Sequence, residues 1–326
     1  MPDDRSETDM PSSPLENADG PVRVAITGDG KVLPASASLV SVTVRSSVNK
    51  VPSATLVFSD GDMPERKFPL SDSATLEPGT ELTVKAGYGK DETAIFSGTV
   101  VKHGLTISGA NDARLVIECR DKAIKMTVGR RNARYEEQTD ADILRALVAG
   151  HGLAARISNA TLHHAQLIQH YCTDWDFLLA RAEANGCLVM VTDGKVVVAE
   201  PATSGAALLK VTYGDDLIEF EAELDARHQY AEVQARAWDP KTQALLEGTA
   251  ARPAHLNRQG NLDSGALAKV LGVGTVKLQT GAALPKAALD GWAKAQQLKS
   301  GLSRLRGRMR FVGTARAALG GLVDLA

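Results

Sequence analysis

Residues 170–199 read HYCTDWDFLLARAEANGCLVMVTDGKVVVA, and this stretch decides how the 326-residue chain is organised. Thr173 stands three positions before Asp176, a spacing typical of a helix N-terminus whose free backbone N–H groups are capped by side-chain oxygens. Apolar residues then recur at helical spacing until Gly186. Beyond it, two short apolar runs flank residues 192–194, Thr-Asp-Gly, which predicts a β-hairpin. A capped helix followed by a hairpin is therefore expected near the middle of the chain.

The segment before this stretch repeats the same construction. Thr139 stands three positions before Asp142, apolar residues again recur at helical spacing, and Gly150 or Gly152 is expected to end the helix. This pattern predicts a second capped helix. Together with the hairpin, the two helices predict a compact α+β domain over residues 126–206.

Upstream of this domain, apolar and polar residues alternate with a period of two. Residues 22–26 and 115–119 are two such runs, and clusters rich in Gly, Asp and Asn separate the runs. Several short strands of this kind predict a small antiparallel barrel or sandwich over residues 21–125. Residues 1–20 carry six acidic groups and no long apolar stretch, which predicts a disordered acidic tail and no signal peptide.

Strand patterns return downstream, over residues 207–240 and again over residues 305–326. Residues 241–304 have a weaker pattern and are interpreted as an insertion. Apolar residues at steps of three or four predict an amphipathic helix over residues 284–305 within it. Because the chain stops on a strand that still needs a neighbour, we expect this last domain to be incomplete at its C-terminus.

The composition excludes several classes of protein. The formal net charge is −2, whereas a general nucleic-acid binder carries a basic excess, so no nucleic-acid specificity is expected. The chain has no run of 18 apolar residues, so we expect no membrane span. An odd number of cysteines without CxxC spacing predicts reduced thiols at Cys119, Cys172 and Cys187.

Candidate catalytic and metal-binding residues are few. The densest set of metal-ligating side chains comprises His163, His164, His170 and Cys172. Because adjacent residues of an extended segment point to opposite sides, this set does not predict a metal site. Asp174 and Asp176 are interpreted as caps in the first turn of a helix. No nucleophile motif or nucleotide-binding loop is visible, so we predict no catalytic, metal or cofactor site.

The sharpest charge feature is a row of arginines at every second position, namely Arg304, Arg306, Arg308 and Arg310. In an extended strand these side chains share one face, and they need water, acids or phosphates around them. Two interpretations stay open: a solvated surface, or a contact surface for an acidic partner or the wall of a water-filled channel. A smaller cluster, Arg130, Arg131 and Arg134, has the same two interpretations.

Residues 170–186, HYCTDWDFLLARAEANG, resemble the helix motif of the VgrG and phage late-control D family. The motif positions that match are Asp174, Trp175, Phe177, Leu178, Arg181 and Gly186. Two later segments are similar to strands of that family's second barrel, GDDLIEFE over residues 214–221 and VQARAWDP over residues 233–240. The resemblance extends in domain order over about residues 20–326.

This resemblance implies a non-enzymatic central hub of a contractile injection machine, such as a phage tail, a type VI secretion needle or an extracellular injection particle. It implies a β-rich α+β chain with two related small antiparallel β-barrel tube domains, over residues 21–125 and over residues 207–240 plus 305–326. An α+β domain and a helical insertion lie between them. Three such subunits would form a pseudo-six-fold ring that joins the hexameric inner tube to the three-fold spike.

The implied partners are two further copies of the chain, the inner tube protein, the spike tip, other baseplate proteins and effector cargo. Assembly in the bacterial cytoplasm into a phage-tail-like particle is implied as well. Two alternatives remain. A tail-associated lytic hydrolase predicts paired acids or a metal site in a cleft, and a carbohydrate- or receptor-binding tail protein predicts exposed aromatic platforms.

Overall fold

The computed structural model describes residues 11–16, 18–34, 37–89, 92–109, 112–253, 256, 262–282 and 284–326. These residues form several mostly antiparallel sheets and a smaller amount of helix, so the chain is β-rich. Among the described helices, none is both long enough and apolar enough for a membrane span.

The first part of the chain is a seven-stranded antiparallel sheet with the strand order β2-β1-β5-β6-β7-β4-β3. Its strands are β1 (Val22–Gly28), β2 (Lys31–Val32), β3 (Ser38–Arg45), β4 (Ser53–Ser59), β5 (Glu81–Tyr88), β6 (Thr93–Ile107) and β7 (Ala113–Arg120). The predicted alternation is confirmed in β7, where Leu115, Ile117 and Cys119 are fully buried. In the described residues β2 and β3 are the outer strands, and no pairing joins them.

The middle part is an α+β unit in which each long strand leads into a helix. Its elements are β8 (Arg131–Thr139), α1 (Asp140–Gly150), β9 (Ala154–Ile157), β10 (His163–Cys172), α2 (Asp174–Ala184), β11 (Leu188–Thr192) and β12 (Lys195–Ala199). β8 pairs with β10, and β12 lies between β11 and β9. Both helices pack against the short sheet through a shared apolar core that includes Leu144, Leu178 and Val189.

The predicted local features of this unit are confirmed. The hydroxyl oxygen of Thr139 accepts the backbone N–H of Asp142, and that of Thr173 accepts the N–H of Asp176. Asp193 and Gly194 both have positive φ, the conformation that a two-residue hairpin turn requires and that Asp-Gly favours.

The last part of the chain contains three small sheets. Its elements are β13 (Leu209–Val211), β14 (Leu217–Leu224), β15 (Glu232–Asp239), β16 (Ala244–Glu247), α3 (Ser264–Leu271), β17 (Thr275–Thr280), α4 (Lys286–Leu302), β18 (Leu305–Phe311) and β19 (Val323–Leu325). β13 pairs with β19, β14 pairs with β18, and β15 lies between β16 and β17.

Residues 241–304, expected to be an insertion outside the core, instead complete a core around β15. They supply β16 and β17 as its neighbours and α4 as the helix that covers it. Leu289 and Ala293 of α4 are fully buried against the inward face of β15. The parallel pairing of β15 with β17 joins strands that are distant in sequence, which a local pattern does not reveal.

The segment predicted to be a disordered tail is partly folded onto the last part of the chain. Ser12 forms a bridge with Leu209, and the Ser13 hydroxyl donates a 2.8 Å hydrogen bond to the carboxylate of Asp216. Residues 11–16 therefore lie against the last part of the chain, while residues 1–10 lie outside the described residues.

Candidate functional site

β14 and β18 form a two-stranded ribbon, hereafter the β14–β18 ribbon. Its register runs from Leu224 opposite Leu305 to Glu219 opposite Arg310. Both strands alternate charged and apolar residues, LIEFEAEL in β14 and LRGRMRF in β18. The pairing therefore gives the ribbon one charged face and one apolar face.

The charged face carries three glutamates of β14 opposite three arginines of β18. Arg310 lies 3.2 Å from Glu219, and Arg308 lies 2.9 Å from Glu221. Glu223 and Arg306 are opposite one another in the register. The arginine row is thus matched by an acidic row on the same chain. The paired side chains are 57% to 79% exposed, so each pair stabilises the fold only slightly.

All four arginines of the row were expected to share one face, but Arg304 does not lie on it. It follows Ser303, the C-cap of α4, and precedes the first residue of β18. Its side chain is only 4% exposed, and its Nε and one terminal nitrogen have no hydrogen-bond partner in the described structure. Because its side chain is buried, Arg304 is not suited to contact a partner at the surface.

The apolar face of the ribbon is exposed. Ile218 and Phe220 are 55% and 52% exposed, and Leu224 and Met309 are 42% and 36% exposed. Their cross-strand contacts lie within the ribbon, as between Phe220 and Met309. Such a continuous run of exposed apolar side chains is typical of a surface that a partner covers.

The predicted motif residues lie inside the α+β unit rather than on its surface. Trp175, Phe177 and Leu178 belong to its apolar core. Gly186 has φ +69°, and a Cβ there would lie 3.2 Å from Ala295 of α4. These residues therefore hold α2 in place, between its own sheet and α4.

The motif residue Arg181 neutralises a fully buried carboxylate, Asp140. Its Nε and terminal nitrogen donate hydrogen bonds of 2.7 and 2.8 Å to the two carboxylate oxygens. The side-chain amide of Asn185 donates another at 2.7 Å, and His164 lies 3.0 Å away. Burial raises the pKa of Asp140, but the bonds and charges of Arg181, Asn185 and His164 outweigh it, so the pKa lies below its usual value.

Asp174 has an equivalent place at the start of α2. Arg131 donates to it at 2.7 Å, Gln169 donates at 2.8 Å, and His151 lies 2.8 Å away. Burial raises the pKa of Asp174, but the hydrogen bonds of these three side chains outweigh this effect, so the pKa lies below its usual value. The Asp174 side chain was expected to cap the helix and instead joins α1, β8, β10 and α2. The side chain of Thr173 caps the helix by accepting the backbone N–H of Asp176.

The remaining candidate residues are dispersed. His163 lies 3.7 Å from Glu137, whereas His164 belongs to the Asp140 cluster. The arginine cluster is also divided, because Arg130 lies over the Tyr171 ring and Arg134 pairs with Glu136. Within the part of the chain that the structure describes, no group of three or more His, Cys, Asp or Glu side chains converges as a metal site would.

A serine and a histidine meet on the first sheet, a contact that the sequence does not indicate. Ser71 Oγ lies 3.1 Å from His103 Nε2, and His103 Nδ1 lies 3.2 Å from the carbonyl oxygen of Leu76. Nearby, the carboxylate of Asp60 accepts the N–H groups of Leu70 and Ser71. These bonds fasten the loop between β4 and β5 to β6.

Two sets of contacts were not predicted from the sequence. The acidic row of β14 has a visible pattern, Glu at every second position, and only its pairing with the arginines was missed. The Asp140 and Asp174 clusters have no such pattern, since Asp140 and its partner Arg181 are 41 positions apart.

The chain matches one protein-family model and is similar in fold to solved structures. A protein-family model described as the Alg8 N-terminal domain matches residues 18–326, and no curated protein matches. The 43 kDa tail protein of prophage MuSo2 from Shewanella oneidensis is similar in structure, with a TM-score of 0.66 and 12% identity over 94% of this chain and 89% of that chain. The tail protein from Neisseria meningitidis MC58 has a TM-score of 0.64 and 14% identity over 94% of this chain and 87% of that chain.

These likenesses show a shared fold. The expected resemblance is confirmed at the level of a tail-protein fold, and the matched family is named differently from the one expected. Because the family model spans nearly all of the described residues, the chain belongs to the Alg8 N-terminal domain family.

Proposed function

We propose that this chain is a structural component of the tail or baseplate of a contractile injection machine. The observation that carries the proposal is the likeness in fold to two tail proteins, one of them from a prophage, over 94% of the chain. In this role the protein acts through shape and assembly rather than through catalysis.

In finer terms, we propose a hub of the VgrG and late-control D type. Residues 21–125 would be the first tube domain, and residues 207–240 with 305–326 the second. Three copies would form a pseudo-six-fold ring that joins the hexameric inner tube to the three-fold spike and lets cargo be loaded or passed. Other baseplate proteins would complete the particle, which would assemble in the bacterial cytoplasm.

Two features of the structure support a structural role. The buried carboxylates of Asp140 and Asp174 each accept several hydrogen bonds from side chains of neighbouring elements, which suits scaffolding rather than proton transfer. The β14–β18 ribbon presents an exposed apolar face together with a charged face, which suits contact with other subunits. The arginines Arg306, Arg308 and Arg310 remain candidates for contact with a neighbour or the lumen.

The test is the mass and symmetry of the purified protein. Native mass spectrometry and light scattering should give three copies per particle, and negative-stain images of the particle mixed with its inner tube protein should show the two joined end to end. A protein that stays monomeric and never associates with a tube protein would contradict the proposal.

A further inference from the structure

One residue of the α+β unit, Tyr171 in β10, has a strained backbone. Its φ is +41°, in the left-handed region that glycine and asparagine adopt readily and that an aromatic residue rarely adopts. Tyr171 lies in a β-bulge, because β10 takes three steps from Gln169 to Cys172 where the paired strand β8 takes two. A tyrosine therefore stands where glycine would fold more easily.

Two neighbours hold this tyrosine while its ring stays exposed. The backbone N–H of Tyr171 donates a 2.8 Å hydrogen bond to the side-chain oxygen of Asn132 in β8. The guanidinium of Arg130 lies 6.0 Å from the centre of the Tyr171 ring, within the range of a cation–π contact. Tyr171 is nevertheless 62% exposed. Strain that is kept at an exposed side chain is typical of a site that contacts a ligand or a partner.

Apolar side chains lie beside this tyrosine. Ile168 of β10 is 56% exposed and lies opposite Arg134 of β8. Val128, two positions before Arg130, is exposed as well. Val128, Arg130, Ile168 and Tyr171 are hereafter the Tyr171 patch. Tyrosine and arginine are among the residue types that carry most of the binding energy in protein interfaces, so the patch suits contact with a protein.

The charge of the patch is concentrated at Arg130. Of its neighbours, Arg131 is paired with Asp174, and Arg134 is paired with Glu136. Among the residues that the structure describes, no carboxylate forms an ion pair with Arg130, whose guanidinium lies over the tyrosine ring. A nucleic acid needs several free cations along its phosphates. A single carboxylate next to an apolar side chain therefore fits the patch better than a nucleic acid does.

We propose that the Tyr171 patch docks an acidic segment of another protein of the particle, in which Asp or Glu stands beside an apolar residue. The carboxylate pairs with Arg130, and the apolar side chain packs on Tyr171 and Ile168. This chain places its own acidic row beside exposed apolar side chains in β14, but those glutamates are already matched by the arginines of β18. The acid on Arg130 therefore comes from a different protein. The proposal deepens the proposed function and rests on its assembly.

The stability of the purified chain tests whether the tyrosine is kept for contact rather than for folding. Tyr171→Gly relieves the strain and should lower the equilibrium constant of unfolding about fivefold. Tyr213→Gly is the matched control, because Tyr213 is also exposed but does not have a positive φ, so this change should not stabilise the fold. Urea unfolding measures both variants. A Tyr171→Gly variant that unfolds as easily as wild type would overturn the docking site, because the tyrosine would then serve the fold.

Photo-cross-linking in purified particles tests the partner. A chain with p-benzoylphenylalanine in place of Ile168 should cross-link to a different particle protein, at a segment where Asp or Glu stands beside an apolar residue. Arg130→Glu should weaken this cross-link about tenfold or more, because like charges would then meet. Arg252→Glu is the control, since Arg252 is an exposed arginine far from the patch in sequence, and it should leave the cross-link unchanged.

Each other outcome would contradict a stated part of the proposal. Cross-links to nucleic acid or to a second copy of this chain would overturn the assigned partner, and so would a cross-link that Arg130→Glu does not weaken. A chain that enters particles and forms no protein cross-link overturns the docking site while the assembly stands. A chain that enters no particle overturns the docking site and the proposed function together.

Discussion

Two aspartates show how single residues connect the elements of the α+β unit. Asp140 and Asp174 are each the first residue of a helix, and both bind an arginine and a histidine from other elements. A buried charge is costly unless it is paired, so each carboxylate fixes the position of its partners. The same arrangement at the start of both helices explains why the Thr-Asp-x-Asp sequence occurs twice.

The first prediction concerns the charge of Asp140. Asp140→Asn keeps the shape of the side chain but leaves Arg181 without its counter-charge, and this should lower the free energy of unfolding by about 3 kcal/mol. Urea unfolding measures the loss. Asp142→Asn is the control, because this carboxylate is 58% exposed and should change the free energy of unfolding by less than about 1 kcal/mol. Equal effects of the two substitutions would show that the buried pair does not stabilise the unit.

The second prediction concerns the stability of the fold at low pH. The pKa values of Asp140 and Asp174 are lowered in the folded protein, so the folded state binds protons less readily than the unfolded chain. Their stabilisation is complete above the unfolded pKa of about 3.9, and it is lost as the pH falls further through the folded values. The urea concentration at the unfolding midpoint should therefore decrease as the pH is lowered beneath about 4. The double substitution Asp140→Asn with Asp174→Asn should flatten this fall, and an unchanged pH profile would argue against the assignment.

At the scale of elements, the β14–β18 ribbon depends on a close approach of its two strands. Gly307 lies opposite Ala222, and a Cβ at this position would collide with the carbonyl oxygen of Glu221. Glycine is therefore required here by space, not by its φ angle. This close approach explains why glycine, rather than a larger apolar residue, stands at position 307 between Arg306 and Arg308.

The third prediction follows from this close approach. Gly307→Ala should separate the strands and lower the free energy of unfolding by about 1–3 kcal/mol. Thermal unfolding gives the size of the effect, and limited proteolysis should show earlier cleavage within residues 217–224. Gly104→Ala is the matched control, since Gly104 also lies in a strand but its added Cβ would meet only an ordinary contact at 3.8 Å. Comparable losses in both variants would rule out the crowding at Gly307 as the cause.

The elements that the sequence predicts well are those made by neighbouring residues. The two capped helices and the hairpin of β11 and β12 need only a hydroxyl group, an acid or an Asp-Gly turn within a few positions. The ribbon differs, because Glu219 and Arg310 are 91 positions apart and either strand alone resembles any amphipathic strand. The arginine row was therefore visible from the sequence, whereas its neutralisation by the glutamates was not.

At the scale of the whole molecule, polar contacts join segments that are distant in sequence. Ser13 and Asp216 are 203 positions apart and share a hydrogen bond, while Asp216 also accepts the backbone N–H of Thr212 at 2.6 Å. α2 and α4 are joined similarly, by the exposed pair Glu183 and Lys299 at 2.9 Å. The buried apolar residues nevertheless form three separate clusters, one in each large part of the chain.

The fourth prediction concerns the contact of Ser13. Ser13→Ala removes one hydrogen bond to the fully buried Asp216 and should lower the free energy of unfolding by about 1 kcal/mol. Ser12→Ala is the control, because Ser12 contacts the last part of the chain through its backbone, as in the 3.1 Å bond from the N–H of Lys210 to its carbonyl oxygen. Differential scanning calorimetry would measure both variants, and a larger loss for Ser12→Ala would contradict the role of the Ser13 hydroxyl.

The pairing of β13 with β19 and of β14 with β18 has a consequence for the order of folding. The α+β unit is made largely of contacts between nearby residues, so it can form soon after its own residues leave the ribosome. β14 must wait until α4 and β18 have been synthesised, and during that interval its acidic edge and apolar face stay open. Contacts between distant residues form slowly. The glutamates of β14 would then repel the β14 strand of another nascent chain. This repulsion would keep unfinished chains apart until β18, which carries the arginines, has been synthesised.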